Sequence, residues 1–233
     1  MTTNNKNELH KRDSMGYDTK SGRWLLHFLD DGLKRVLVPL VPKSVETYHL
    51  TLTTILWSIL IVFFSYLART DINWLWAVSL MIVFQYLTDL LDGEIGRIRN
   101  TGLIKWGFYM DHFLDFIFLS SIVIGYSLLL PYKYHMYQVL IFALYGGFMV
   151  DSYLSFAATG EFRIAHYGIG PTEVRSAFIL VNTFLIIFGK TYLGPAIPYI
   201  FILALVGLCA AVYSNQKRIW AIDMEKKKKK KKR

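Results

Sequence analysis

The sequence alternates between long apolar stretches and short polar segments. Six of these stretches carry few or no formal charges. Because a hydrocarbon core about 30 Å thick is crossed by about 20 apolar residues of helix, the pattern predicts membrane-spanning helices rather than a water-soluble fold. The predicted spans are residues 48–68, 74–91, 106–130, 134–158, 176–188 and 196–214.

A stretch before the first span has a different pattern. Between residues 21 and 41 apolar side chains recur at helical spacing, and the charged side chains fall on the opposite side. This pattern predicts an amphipathic helix that lies in the membrane interface and ends near Pro39 and Pro42. The predicted fold class is therefore all-α integral membrane, with six transmembrane helices preceded by an amphipathic interfacial helix.

Positive charge is unevenly distributed between the two sides that six spans define. The formal net charge is +9, and 23 of the 26 Lys and Arg residues fall on the side of the two termini. The positive-inside rule predicts that both termini are cytoplasmic. Because the positive residues flank apolar spans, they indicate a bilayer with anionic headgroups as the partner, and not nucleic acid. The other side carries only Arg69, Lys133 and Lys190.

Four aspartates stand where the second and third spans approach each other. Asp89 and Asp92 are three residues apart, and Asp111 and Asp115 are four apart, so each pair shares one face of a helix. Carboxylates beside hydrocarbon are costly, and four together repel one another unless cations neutralise them. Two divalent ions are expected to neutralise these carboxylates. A pair of metal ions is typical of sites that catalyse phosphoryl displacement.

The stretch that holds these aspartates resembles the signature of the CDP-alcohol phosphotransferase family, DxxDGxxAR followed by GxxxDxxxD. One position departs from it, because Gly96 stands where the family has alanine. Both residues are small, so close approach of a neighbouring group is preserved. The matching positions are Asp89, Asp92, Gly93, Arg97, Gly107, Asp111 and Asp115.

The resemblance implies roles for the aspartates. Asp89, Asp92 and Asp111 would hold a first metal ion, and Asp89, Asp111 and Asp115 would hold a second. Because carboxylates are oxygen ligands that suit hard cations, the two ions are expected to be Mg²⁺ or Mn²⁺. The cofactor prediction is therefore two divalent ions.

The resemblance also implies how the substrates are handled. Gly93 and Arg97 would contact the cytidine diphosphate part of the donor. Asp115 would be the catalytic general base for the acceptor hydroxyl, which attacks the β-phosphorus and releases CMP. With the aspartates at the cytoplasmic ends of spans two and three, a water-soluble nucleotide could reach them.

The predicted function is a CDP-alcohol phosphotransferase of phospholipid biosynthesis. Two versions stay open: a CDP-diacylglycerol donor with a small polar alcohol, and a CDP-aminoalcohol donor with diacylglycerol. The alternative from another class is a divalent-cation transporter or channel that uses the aspartates as a transport site. It predicts a second polar cluster near the opposite face. A homodimer is also possible.

The same reasoning divides the chain into four segments. They are a flexible polar tail at 1–20, an amphipathic juxtamembrane helix and linker at 21–47, a six-helix membrane catalytic domain at 48–216, and a basic cytoplasmic tail at 217–233. The single cysteine, Cys209, excludes an intrachain disulfide.

Polar residues outside the aspartate cluster allow two readings each. His112 either orients a metal ligand or packs between helices. Asp151 is expected to pair with a polar group such as Asn182 rather than to act as a catalytic residue. Arg163 and Arg175 either bind a phosphate-bearing substrate or belong to a solvated loop at 160–175.

Overall fold

Helices account for all the regular secondary structure in residues 25–99, 103–160 and 170–231, which the computed structural model describes. The predicted tail at 1–20 lies outside these residues. The helices are α1 (His27–Leu37), α2 (Thr47–Leu67), α3 (Leu75–Arg99), α4 (Ile104–Leu129), α5 (His135–Thr159), α6 (Pro171–Phe188) and α7 (Leu193–Lys231). Short 3₁₀ turns lie at Val38–Leu40, Ile72–Trp74, Tyr132–Tyr134 and Lys190–Tyr192.

Six of the described helices, α2 to α7, are long and apolar enough to cross a membrane. The prediction of an all-helical integral membrane fold with six spans is therefore confirmed. Large apolar side chains are widely exposed on these helices, and Tyr199 and Leu203 are among the most exposed. Such an apolar surface is expected where lipid rather than water is the solvent.

Three predicted boundaries of helical segments are wrong, and the first two corrections affect the candidate site. The basic connection expected at 93–105 is shorter, because α3 continues as helix to Arg99. Basic side chains in the last turn of a helix interact favourably with its dipole, which explains the extension. The fifth span begins at Pro171 rather than Ser176, with proline in the first turn and Glu173 accepting a hydrogen bond from the Gly170 backbone N–H.

The sixth span is also longer than predicted. Helix α7 does not end near residue 214 but continues to Lys231. Lys229 Nζ lies 2.7 Å from Glu225 Oε1 one turn earlier, a spacing that supports an exposed helix.

Helix α2 is a central element of the bundle, because it packs against both α3 and α4. Its buried face is a stripe of small, mostly polar residues at alternating spacings of four and three. Small residues let helix backbones approach closely in a membrane. At Gly125 on α4, an added Cβ would lie 2.5 Å from Ser65 Oγ, so the two helices are in close contact there. The stripe consists of Thr47, Thr51, Thr54, Ser58, Ile61 and Ser65.

Apolar packing holds the remaining helices to this centre. Ile82 of α3, Phe118 of α4 and Leu185 of α6 are buried in one cluster with Ile61 of α2. Helix α6 packs on α3, and α5 packs on α7. The cluster therefore fixes the relative positions of α2, α3, α4 and α6, which carry the candidate site.

Helix α1 is attached to the bundle by hydrogen bonds. Asp30 is 3% exposed and accepts hydrogen bonds from the Tyr86 hydroxyl on α3 and from Thr172 Oγ1 on α6, the latter at 3.1 Å. The Leu26 backbone N–H donates to Glu173 Oε1 at 2.7 Å. Helix α1 thus joins the two helices from the outside. Its location in the membrane interface stays a prediction.

Asp151 has a structural partner, although not the one expected. Its Oδ2 accepts a hydrogen bond from Asn215 Nδ2 at 2.6 Å, which ties α5 to α7. Asn182 instead donates to Ser79 Oγ at 3.1 Å and accepts from the Tyr126 hydroxyl at 3.0 Å. Both arrangements satisfy polar groups inside the membrane span by bonds between helices.

Candidate active site

The end of α3 and the start of α4 bring the four predicted aspartates to one end of the bundle. Asp89 and Asp92 lie in the second half of α3, and Asp111 and Asp115 lie in the first half of α4. Helix α3 ends at Arg99 and α4 begins at Ile104, so the end of one helix and the start of the other must be close in space.

Three of the aspartates converge closely enough to share a metal ion. One carboxylate oxygen each from Asp89, Asp92 and Asp111 can be chosen so that all three oxygens lie within 4.8 Å of one another. The donors are all carboxylate oxygens, a set that suits Mg²⁺, Mn²⁺ or Ca²⁺ rather than soft transition metals. The residues present therefore fit the metal that the sequence implied. Two of these aspartates lie on α3 and one lies on α4, so a bound metal would link the two helices.

A hydroxyl on α2 holds one member of this trio. Thr51 Oγ1 is buried and donates to Asp92 Oδ2 at 2.7 Å. Trp57 Nε1, further along the same helix, donates to Thr88 Oγ1 at 3.2 Å, beside Asp89 in sequence. These contacts fix the polar end of α3 against α2, and outer contacts of this kind orient metal ligands.

Asp115 is not one of the three converging aspartates, but it shares a cationic partner with Asp89. Its Oδ1 lies 3.5 Å from Nη2 of Arg175, and the same nitrogen donates to Asp89 Oδ2 at 2.9 Å. Arg175 is 5% exposed and lies on α6, so it is not a solvated loop residue. A guanidinium between two carboxylates partly neutralises the repulsion within the cluster.

Gln85 anchors the other edge of this guanidinium. Arg175 Nε donates to Gln85 Oε1 at 2.7 Å, and Gln85 is 1% exposed. Because Nε can only donate, the amide oxygen must face it and the amide nitrogen must point away. That nitrogen is buried without a hydrogen-bond partner among the described residues. Gln85 precedes Asp89 by one helical turn, so both face α6.

The structure places Gly93 and Arg97 on the helical continuation of α3. Gly93 is half-buried directly after Asp92, whereas the side chain of Arg97 is 47% exposed. Arg97 Nη1 lies 3.2 Å from Glu94 Oε2, and the same carboxylate oxygen lies 3.7 Å from Lys34 Nζ on α1. Both basic groups thus lie near the edge of the site. Contact of Gly93 and Arg97 with a nucleotide stays a prediction.

His112 packs between helices beside the cluster. Its ring centroid lies 4.3 Å from that of Phe108 and 5.7 Å from that of Tyr153 on α5. Its Nδ1 lies 3.5 Å from Asp111 Oδ2. Both of the roles considered from the sequence are therefore compatible with its position.

Sequence reasoning missed the placement of Arg175 and the contributions of Gln85 and Thr51. A signal for Arg175 was present, since glycine, proline and then glutamate at 170, 171 and 173 are a helix-start pattern. That pattern would have moved Arg175 from the loop to the first turns of α6. Thr51 and Gln85 carried no comparable signal, because their roles depend on which helices pack together.

Comparison with known proteins adds independent information about the chain. A search of the curated proteins found no match. The family model for CDP-alcohol phosphatidyltransferase matches residues 48–214, which is most of the chain and includes α2 to α6. This family consists of phosphotransferases of phospholipid synthesis that act on CDP-alcohols and acceptor alcohols and are in general metal-dependent. With the match, the six spans and the converging aspartates in agreement, this chain belongs to the CDP-alcohol phosphatidyltransferase family.

Proposed function

We propose that this protein transfers a substituted phosphate group from a CDP-linked donor to an alcohol hydroxyl and releases CMP. The observation that supports this most directly is the convergence of oxygens from Asp89, Asp92 and Asp111 within 4.8 Å. These carboxylates come from two helices at one end of a membrane bundle. A metal held there would stand where lipid substrates and a water-soluble nucleotide can meet.

The metal ligands follow from the same arrangement. Asp89, Asp92 and Asp111 would hold one Mg²⁺ or Mn²⁺, and Asp115 together with Asp89 and Asp111 would hold a second. When bound, the ions would neutralise the charge that develops on the phosphate oxygens and the leaving group. Thr51 would keep Asp92 oriented through its 2.7 Å hydrogen bond.

Asp115 is the proposed general base. It lies one turn after Asp111 on α4, outside the close trio, and is therefore the carboxylate best placed to serve a second partner. It would take the proton of the acceptor hydroxyl while the hydroxyl oxygen bonds to the β-phosphorus. The bond from that phosphorus to the bridging oxygen would break, and CMP would leave with the electron pair.

Gly93 and Arg97 would hold the cytidine diphosphate part. Gly93 lacks a side chain next to Asp92, so a phosphate could approach the backbone. Arg97 lies near the end of α3 and is partly exposed, so its guanidinium could exchange Glu94 for a phosphate oxygen. Both residues would bind the donor and leave the acceptor side to Asp115.

The donor and acceptor stay open between two versions. Either CDP-diacylglycerol reacts with a small polar alcohol, or a CDP-aminoalcohol reacts with diacylglycerol. In both, the active site and termini would face the cytoplasm because most Lys and Arg residues fall on that side. The same residues would contact anionic headgroups. Dimerisation in the bilayer remains a separate prediction.

The deciding experiment is a CMP-release assay on the purified full-length protein with Mg²⁺. CDP-diacylglycerol, CDP-choline and CDP-ethanolamine would each be offered with candidate alcohols and with diacylglycerol. We expect one donor class to release CMP, and Asp111→Asn to abolish the release. Asp151→Asn is the matched control, because Asp151 pairs with Asn215 away from the cluster. No release with any donor would contradict the proposal.

The transporter alternative predicts a second polar metal cluster near the opposite face. Within residues 25–99, 103–160 and 170–231, one group of three or more acidic, His or Cys side chains could hold a metal, and it is the aspartate trio. The described structure thus favours the enzyme. Uptake of Mn²⁺ into vesicles without CMP release would instead support transport.

A further inference from the structure

Arg175 uses the carboxylates that a second divalent ion would need. Its Nη2 lies 2.9 Å from Asp89 Oδ2 and 3.5 Å from Asp115 Oδ1. A carboxylate has two oxygens, so Asp89 can hold the first ion and accept from Arg175 at the same time. A second ion bound by Asp89 and Asp115 would lie next to the guanidinium, and the two cations would repel each other. The first site also has Asp92 of α3 and Asp111 of α4 as ligands beside Asp89. It does not depend on Asp115.

We propose that Arg175 is a positioning residue that acts as a built-in cation and makes binding of the second divalent ion depend on the nucleotide. Without nucleotide, its guanidinium pairs with Asp89 and Asp115 and the protein binds one divalent ion. When a phosphate of the donor provides another anion, Arg175 pairs with that phosphate and releases the two carboxylates. This inference rests on the proposed function, because it assumes a diphosphate substrate at the cluster.

The charges of the cluster support a dependence of the second ion on the nucleotide. If all are ionised, four aspartates and Arg175 leave an excess of three negative charges. One divalent ion reduces the excess to a single negative charge, whereas a second would make the cluster positive. The first ion is thus attracted by three net negative charges and the second by only one. A diphosphate bridge carries two negative charges and would reverse that balance, so the second ion and the nucleotide should favour each other's binding.

The contacts of Arg175 allow such an exchange without loss of its position. Its Nε stays bonded to Gln85 Oε1 at 2.7 Å, and its Cζ lies 5.6 Å from the ring centroid of Phe118. Gln85 is buried on α3, and Arg175 is held near the start of α6. Only the Nη2 end must change partners. The guanidinium therefore remains beside the cluster in both states.

The test is a Mn²⁺ titration of the purified full-length protein, followed by electron paramagnetic resonance, with and without CDP. For the unmodified chain we expect one tightly bound Mn²⁺ per chain without CDP and two with CDP. In Arg175→Met, the affinity for the second Mn²⁺ without CDP should rise by roughly 5- to 150-fold, the usual range of coupling between sites. In this variant, addition of CDP should increase the affinity for the second Mn²⁺ little further.

Two variants serve as controls for this titration. Arg175→Lys keeps a cation and should keep the dependence on CDP, which tests the charge even if the methionine variant fails to fold. Arg69→Met removes an exposed arginine at the opposite end of α2 and should behave like the unmodified chain. Two equal Mn²⁺ sites without CDP in the unmodified chain would overturn the inference, as would an Arg175→Met titration identical to it.

This titration requires no turnover, so its result is separable from that of the proposed function. CMP release together with two CDP-independent Mn²⁺ sites would reject the role of Arg175 and leave the enzyme proposal intact. Absence of CMP release with every donor would reject the enzyme proposal. A second Mn²⁺ that requires CDP would still support the coupling.

Discussion

Thr51 Oγ1 donates a 2.7 Å hydrogen bond to Oδ2 of Asp92, and this bond connects the central helix of the bundle to the candidate metal site. The two residues are 41 positions apart in the chain. Thr51 belongs to the stripe of small residues through which α2 contacts its neighbours. The same close packing that builds the bundle therefore orients one metal ligand.

We predict that Thr51→Val weakens metal binding by about 10- to 100-fold, the usual cost of losing an outer partner of a metal ligand. Valine keeps the shape but cannot donate to Asp92. Thr51→Ser should restore most of the affinity. Thr53→Val is the matched control, because Thr53 donates to the Leu50 carbonyl of its own helix at 2.6 Å. Isothermal titration calorimetry measures the Mn²⁺ affinity of all three variants. An unchanged affinity in Thr51→Val would contradict the prediction.

The metal requirement provides a second prediction. Chelation should abolish CMP release, and Mg²⁺ or Mn²⁺ should restore it, because the site offers only carboxylate oxygens. Asp89→Asn, Asp92→Asn and Asp111→Asn should each reduce turnover by more than about 100-fold, beyond the effect of an outer partner. Membrane insertion should be unaffected. Near-native turnover in any of the three would remove that residue from the metal site.

The third prediction separates the base from the ligands. Asp115→Asn keeps the size of the side chain but removes the proton acceptor, so turnover should fall by roughly 10²- to 10⁴-fold while the donor still binds. Asp89→Asn should weaken donor binding as well, since it removes a ligand of the trio. Single-turnover rates and CDP affinities of the two variants decide whether Asp115 acts as base or as metal ligand. Equal loss of affinity in both variants would make Asp115 chiefly a ligand.

Helix α1 provides a fourth prediction, on stability. Asp30→Ala leaves the buried Thr172 hydroxyl and the Tyr86 hydroxyl without their acceptor, which should lower the free energy of unfolding by about 1–3 kcal/mol. Asp31→Ala is the matched control, because Asp31 is exposed and its loss should cost within about 0.5 kcal/mol. Thermal unfolding in detergent compares them. Equal stability of the two variants would show that α1 is not held by Asp30.

The basic end of α7 provides the last prediction. Removing the residues after Glu225 should leave CMP release in detergent unchanged, because Lys229 pairs with Glu225 inside its own helix. In vesicles, each lysine near an anionic surface would add about 1 kcal/mol of attraction, and this should decrease with salt. Loss of catalysis in detergent after the truncation would assign the tail a role in the site.

Much of the fold was predictable, because apolar length alone specifies a membrane span. The six spans and the all-helical class followed from that rule, and the structure confirms them. The errors lay at helix ends, where α3 continues to Arg99 and α6 begins at Pro171. Helix ends depend on capping and local charge, which contribute much less free energy than the apolar stretch itself.

The sequence by itself determined the aspartates and their family, because the four residues lie within a short segment and helical spacing alone puts each pair on one face. Only the tertiary structure decided what surrounds them. Arg175 bonds to Asp89 across 86 residues and to Asp115 across 60, and no local pattern carries that information. Such contacts arise because α6 packs on α3 and buries the charge of Arg175, which must then pair with carboxylates.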